Sequence, residues 1–348
     1  MGVHMHDLRH HGLVYYALKR GGSLHPITLP KELTNETGIM NPSIFLHDGK
    51  ILLNVRHVNY TLYHSEGKKF PHTWGPLQYI HPENDVTLRT HNIMCELDGN
   101  MNVLNAGRIK MNLDTGPTWN FIGLEDGRLF AWENRLFLCG VRRDCYDDKG
   151  KGRMEMCEIE FIDGEWQEVS RNPIPAPGDD GTYCEKNWMP VLDMPWHFVK
   201  WCNPTEVVKY DIENRTTTTV HLDESKFLNV FKRDLRGGTQ VVPIGQGRHL
   251  AFTHEVDLLK DVFYRKDGHY NHRILVWDQD WNIIHHTKDF HFLGTQIDHT
   301  TGYEYNIEFA TGLTFLDGNA LIAFGYQDNG TFILKMPEQV FFDFVARG

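Results

Sequence analysis

Seven Asp-Gly dipeptides punctuate the chain, at residues 48, 98, 126, 163, 180, 267 and 317. About two are expected from the numbers of Asp and Gly, and Asp-Gly is among the pairs that most readily close a tight β-hairpin. The flanks are short β-rich runs. Ser43–Leu46 precedes Asp48 and Ile51–Val55 follows Gly49. Gly127–Trp132 is followed, after a short turn, by Leu136–Val141, and Leu250–Thr253, Ile274–Trp277 and Leu321–Phe324 repeat the form. Helical periodicity is scarce. Many short strands with turn signals between them predict an all-β fold, a sandwich, barrel or propeller. The hairpin cores near 45–55, 128–141, 189–200, 250–276 and 313–324 are spaced as four-stranded propeller blades would be. The pattern predicts a single β-propeller domain over residues 1–348, with about residues 1–12 mobile. Pro173, Pro175 and Pro177 mark a connector between blades.

Composition narrows the function classes. Apolar residues make up 41% and charged residues 23%, which is the make-up of a globular chain. Thirty-five basic against 46 acidic residues give a net charge of −11, so non-specific nucleic-acid binding, which runs on phosphate neutralisation, is not expected. A local basic pocket for a small anion remains allowed. No apolar run is long enough to span a bilayer, and no apolar segment follows the polar, His-rich start. The expectation is a cytoplasmic chain with no membrane partner and six reduced cysteines, with the oligomeric state left open. The Asn-x-Ser/Thr sequences at Asn35, Asn59, Asn214 and Asn329 are read as chance. His4, His6, His10 and His11 lie near the start, and His285, His286 and His291 lack a carboxylate at ligand spacing, so no metal is expected. No nucleophile elbow, P-loop or dinucleotide fingerprint is present. Aromatic residues reach 12%, and aromatic faces stack on sugar rings as well as filling cores.

Six polar clusters recur at similar places in successive hairpins. Asn41-Pro42-Ser43 opens a strand and Arg56 ends the next one, a pairing suited to clamping an anion or sugar hydroxyls. Glu125-Asp126-Gly127-Arg128 puts two carboxylates and a cation on one tight turn, and Arg142-Arg143 follow the next hairpin. Lys186-Asn187-Trp188 joins a cation, an amide and an aromatic face. Arg236-Gly237-Gly238-Thr239 precedes a strand ending in Thr253-His254-Glu255, and its glycines permit close backbone approach to a ligand. Ile307–Gly312 and Phe324–Asn329 complete the set.

Taken in order, these clusters resemble the β-mannoside phosphorylase family, glycoside hydrolase family 130, and its glycosyltransferase relatives. The resemblance runs from about residue 38 to 335 and implies a five-bladed β-propeller with its active site in the central channel. Asn41-Pro42, Asp48-Gly49-Lys50 and Arg56 resemble the family's opening. Glu125-Asp126-Gly127-Arg128 resembles its Glu-Asp-Pro-Arg signature with Gly in place of Pro. Lys186-Asn187-Trp188, the Gly237-Gly238-Thr239 turn before His254, and Phe324–Asp328 follow in register. The resemblance implies Asp98, in Leu97-Asp98-Gly99, as the catalytic acid. It implies phosphate binding by Arg128, Arg142 or Arg143, Lys186, His254 and Tyr270, and sugar binding by Asn41, Arg56, Glu125, Asp126, Asn187 and Asp328. Glu255 after the histidine and the Ile307–Gly312 motif depart from the family pattern, marking a divergent member.

Inverting cleavage needs an acid at the leaving oxygen and a nucleophile on the opposite face. A hydrolase uses a second carboxylate to activate water, whereas a phosphorylase uses cations to hold phosphate. The Arg and Lys positions therefore favour an inverting glycoside phosphorylase, or reverse transfer from a sugar phosphate, with a glycoside or oligosaccharide substrate. Inorganic phosphate is then the co-substrate and no other cofactor is required. The alternatives are an inverting glycoside hydrolase and a non-catalytic carbohydrate-binding propeller.

Overall fold

The computed structural model describes residues 8–62, 69–71, 78–80, 87–146, 148–178, 184–260, 266–294, 296–297, 304–305 and 307–347. Five antiparallel sheets follow one another as the blades of a propeller. From inner to outer strand, blade 1 is Ile39–His47, Lys50–Val58, Leu88–Leu97 and Val103–Arg108, and blade 2 is Glu125–Trp132, Arg135–Arg142, Arg153–Ile162 and Glu165–Ile174. Blade 3 is Met189–Pro190, His197–Cys202, Thr205–Asp211 and Thr216–Leu222. Blade 4 has a split inner strand, Arg236–Gly237 and Val242–Pro243, then His249–Lys260, Lys266–Trp277 and Ile283–His286. Blade 5 is Glu308–Leu316, Asn319–Tyr326 and Gly330–Pro337, and its outer strand is Ser23–Pro26 from the start of the chain. No helix among the described residues is long and apolar enough to cross a membrane.

The Asp-Gly pairs do several jobs. Asp48-Gly49, Asp163-Gly164 and Asp317-Gly318 all have positive φ at both residues, the backbone of the hairpin turn they were expected to form. Asp126 and Gly127 lie within an inner strand instead, Asp267 and Gly268 lie within Lys266–Trp277, and the pair at 180 lies outside the described residues. Pro173 corrects the expected connector, since it pairs with Glu155 in the outer strand of blade 2. An outer edge is where a residue without an N–H is tolerated.

Residues 1–7 lie outside the described residues, but a helix runs over Leu8–Leu18, broken at Gly12. There the backbone approaches so closely that a Cβ would sit 2.2 Å from the carbonyl oxygen of Phe292. Leu13 and Val14 then donate their N–H groups to the carbonyls of His291 and Phe292. Tyr16 and Ala17 join Phe341 and Phe344 of the C-terminal helix, Glu338–Ala346, in one core with blades 4 and 5. The two ends of the chain thus brace the blade that they complete.

Around the axis, the inner strands of blades 1, 2 and 5 each carry a bulge, at Asn41-Pro42, Asp126-Gly127 and Thr311. A bulge rotates the strand and re-aims its side chains. Just past the bulges, the buried amide of Gln240 in blade 4 joins the others. Its Nε2 donates to Ser43 Oγ (3.1 Å), Ile44 O (3.2 Å) and Leu129 O (2.5 Å), and its Oε1 accepts from Leu313 N (3.1 Å). One side chain therefore ties four blades. Gln240→Leu keeps the volume but removes four buried hydrogen bonds, of whose outer partners Ser43 Oγ retains the N–H of Leu129, at about 1–3 kcal/mol for each group left unpaired. The expected loss is at least about 3 kcal/mol in a denaturant titration, and a loss under about 1 kcal/mol removes Gln240 from this role.

Candidate active site

The bulges at Asn41 and Asp126 turn both residues toward one end of the axis, where each has positive φ. Asp126 is the hub. Its Oδ1 accepts from Asn41 Nδ2 at 2.7 Å and from Arg56 Nη1 at 2.8 Å. Arg56 also donates from Nε to Thr90 Oγ1 at 3.2 Å and lies 3.6 Å from Glu125. Glu125 is in turn 3.4 Å from Arg143. Burial alone would raise the Asp126 pKa, but the guanidiniums of Arg56 and Arg128, with the amide of Asn41, hold it below its ordinary value. Asp328 behaves oppositely. Burial pushes its carboxyl up to about 6, with Arg56 opposing and the negative charges of Asp126 and Glu125 reinforcing the rise. Two carboxyls of blades 2 and 5 in one electrostatic neighbourhood are thus driven apart, one ionised and one able to keep its proton.

Arg128 is a buried brace. Its Nε donates to Gly238 O (2.9 Å), Nη1 to Asp126 O (2.8 Å) and Nη2 to Asn187 Oδ1 (3.3 Å), with the guanidinium over the ring of Phe309. It ties blade 2 to blades 3 and 4, so Asn187 also serves the scaffold. Its residue exposure is 1%, so toward the phosphate expected of it Arg128 offers charge more than surface. Gly237 and Gly238 allow this approach, because a Cβ would lie 2.1 Å from Asn187 O and 2.5 Å from Phe252 O respectively. The close approach expected of these glycines is therefore to protein, Gly237 to blade 3 and Gly238 to its own blade and, at 2.9 Å, to Ala310 O of blade 5. Gly127 is similar, since a Cβ there would meet Leu138 side-chain atoms at 2.6–3.0 Å.

Lys186, Arg143 and Arg236 form the cationic side of the channel mouth. Lys186 keeps exposed surface, yet partial loss of water lowers its pKa, and Arg236 and Arg143 lower it further. His254 is buried and held neutral, first by loss of water and then by His272 and the cations Arg236, Arg128 and Lys186. Its ring stacks on Tyr270 at 5.6 Å and meets Phe309 edge-on at 4.6 Å. His254 therefore backs this side as a neutral group, with Tyr270 stacked on it.

Two expected residues do not join. Asp98 sits in the turn after Leu88–Leu97, where its carboxylate accepts from Asn100 N, Asn102 N and Asn102 Nδ2. Arg56 pairs with Asn92 on that strand and Leu97 is five residues further on, roughly 17 Å along the strand. Asp98 is thus at the opposite end of blade 1, and its side-chain bonds hold its pKa low, so the assignment as catalytic acid is corrected. Arg142 is likewise corrected. Strand neighbours point to opposite faces, and Arg142 points inward to Glu155 (2.7 Å), Asp114 (2.9 Å) and Asp144 (3.6 Å). Arg236 and Phe309 were not singled out as site residues, although both lay inside clusters visible in the sequence. Thr90 had no such signal.

Glu308, at the start of the blade 5 inner strand, is fully buried and accepts from Phe292 N (2.6 Å) and Leu293 N (2.7 Å). Burial pushes its pKa up to about 7.

No protein-family profile matches the chain, and no curated sequence matches it. Solved structures do. β-1,2-Mannobiose phosphorylase from Listeria innocua is 10% identical, with 93% of this chain and 94% of that one covered and a TM-score of 0.54. A structure described with the GH130 mannoside phosphorylases, a family said to contain hydrolases targeting β-1,2 mannosidic linkages in Candida mannan, is 13% identical over 87% and 85% of the two chains, at 0.55. A Parabacteroides distasonis structure, whose assignment as a glycoside hydrolase is itself provisional, is 12% identical over 87% and 88%, at 0.57. At these identities the likeness is one of fold.

Two predictions follow from the site's geometry. Arg142→Ala removes the fully buried cation nearest Glu155, which then keeps Arg171 and Tyr146, and should cost about 3 kcal/mol in a denaturant titration, whereas Arg143→Ala should leave stability within about 1 kcal/mol. Equal losses would overturn the division between brace and site. A carboxyl with a raised folded-state pKa binds more protons folded than unfolded, so its contribution falls as pH rises from the unfolded value to the folded one. For Glu308 that window runs from 4.5 to about 7. Glu308→Gln should therefore flatten the fall in Tm across that window, and an unchanged slope excludes Glu308 as its source.

Proposed function

We propose that this propeller is a carbohydrate-active enzyme that cleaves a β-mannoside-like glycoside by phosphorolysis with inversion, or runs the reverse transfer from a sugar phosphate. The observation that carries this reading is the meeting of two unlike groups at one channel mouth. Glu125, Asp126 and Asp328, with Asn41 and Arg56, make a hydroxyl-binding side rich in carboxylates. Arg143, Lys186 and Arg236, backed by the buried charge of Arg128, make a cationic side beside His254 and Tyr270. Inorganic phosphate is the co-substrate and no other cofactor is invoked. The fold neighbours support this reading, as they include a β-1,2-mannobiose phosphorylase.

In this reading a phosphate oxygen held by the cations attacks the anomeric carbon as the bond to the leaving oxygen breaks. The leaving oxygen takes a proton from Asp328, directly or through a sugar hydroxyl, giving the inverted sugar 1-phosphate and a free hydroxyl. Asp126 stays ionised on Arg56 and orients hydroxyls. Hydrolysis is the second reading, favoured by the third carboxylate, Glu125, which could activate water instead.

The test is turnover of mannosides with and without phosphate, with product analysis. Phosphate-dependent formation of a sugar 1-phosphate is expected; turnover without phosphate supports the hydrolase, and binding without turnover supports a non-catalytic module. Asp328→Asn should lower the rate by about 10²-fold or more, the usual effect of losing a general acid. In the wild type, kcat/KM should fall as pH rises through about 6, where Asp328 loses its proton. A profile unchanged in Asp328→Asn would move the acid elsewhere.

A further inference from the structure

At the other end of the molecule, blades 1 and 2 part to leave a cleft of about 650 Å³. Its origin is geometric. Leu129, Leu136, Leu138, Cys157 and Ile159 of blade 2 pack against Leu52 and Met94 of blade 1. Alternate strand residues share a face, so Phe161 continues the row begun by Cys157 and Ile159. Blade 1 no longer covers it, and Phe161 is 53% exposed. Its cross-strand partner is Trp166, with ring centroids 5.3 Å apart and planes at 59°. The two rings form an angled wall. The outer rim is fixed where Lys110 N donates to Trp166 O and Glu168 N donates to Lys110 O, both at 2.9 Å.

The charges around this wall choose among ligands. Four acidic residues line the cleft against three basic ones. The basic ones are each engaged: Lys50 with Glu96 at 2.9 Å, Lys110 with Glu165, and Arg108 Nη2 with the carbonyl of Leu33 at 2.6 Å. An anion such as phosphate would meet a slightly negative cleft whose cations are already paired. A flat apolar ligand would leave those ion pairs facing its surface. A neutral polyhydroxyl ligand suits both parts, with ring C–H faces on Phe161 and Trp166 and hydroxyls on the carboxylates and the amide of Asn105. The volume lies within the range of about 300–1,000 Å³ typical of small-ligand pockets.

We propose that this cleft is a second, non-catalytic binding site for a neutral oligosaccharide, on the face opposite the channel mouth. The choice of mannan as probe rests on the proposed function; the site itself does not. The experiment is electrophoresis of the full chain through native gels containing soluble mannan, with xylan and mixed-linkage β-glucan in parallel gels. Wild type should be retarded by at least one of these. Phe161→Ala and Trp166→Leu should each weaken retardation by about tenfold or more, as truncating an aromatic anchor does. Their thermal unfolding and their turnover of any small glycoside should be unchanged. Asp126→Asn should be retarded like wild type, and phosphate should not compete. Absence of retardation by all three glycans, retardation unaffected by either aromatic substitution, or loss with Asp126→Asn or with phosphate would each overturn the proposal. If the Trp166 variant is destabilised, Phe161→Ala, at an exposed position, decides alone. Absence of turnover by the wild type, with retardation that Phe161→Ala weakens, would fault only the reading of the channel.

Discussion

The propeller depends on how closely its inner strands can approach the axis, and that approach is fixed by the amide of Gln240. The four groups it bonds belong to three other blades. They come within reach because the strands of blades 1, 2 and 5 bulge at the same level. A buried amide of this kind is stabilising only when all its partners are in place, so it also selects a single relative position for the blades. Gly312 and Gly325 complete the closure, as a Cβ at either would lie 2.4–2.6 Å from backbone of Ile44 or Asn41.

The same crowding sets the electrostatics. The bulge that brings Leu129 to Gln240 also lifts Asp126 toward Asn41 and Arg56, and Asn54 and Asn92 hold the adjoining backbone by donating to Gly127 O and Leu124 O. Asp126 is therefore solvated by protein donors and stays charged. Asp328, beside the same arginine but facing two carboxylates, keeps its proton up to about pH 6. The difference between the two acids comes from which blade supplies the donors, since the residue type is the same. Arg128 plays a parallel part among the cations. Its hydrogen bonds hold three blades together, and its charge helps to keep His254 neutral.

Sequence identity of 10–13% to the fold neighbours, with most of each chain covered, has a physical basis. A blade needs alternating apolar positions, tight turns and small residues where inner strands meet, and many sequences satisfy those needs. Gly127 shows the latitude at one position. The resembled signature has Pro there, but Leu138 occupies the space any side chain would need.

The blades were legible in the sequence because hairpins are local. Asp-Gly turns such as Asp48-Gly49 and Asp317-Gly318 carry their own backbone preference, and the β-rich runs beside them are buried almost without a break. The residues around Asp126 were legible as a cluster for the same reason. What the sequence did not carry was anything decided by closure. Ser23–Pro26 has no hairpin partner beside it in sequence and becomes a strand only by meeting Gly330–Pro337. Asp98 has the local form of a hairpin acid, but the number of residues in its strand puts it at the wrong end of the blade. Arg142 and Arg143 are adjacent in sequence, and the pleat sends one into the core of ion pairs and the other toward Glu125. The cleft beside Phe161 exists only because two blades diverge. Local preference wrote the hairpins; the direction each side chain faces, and what it meets there, was set when the ring closed.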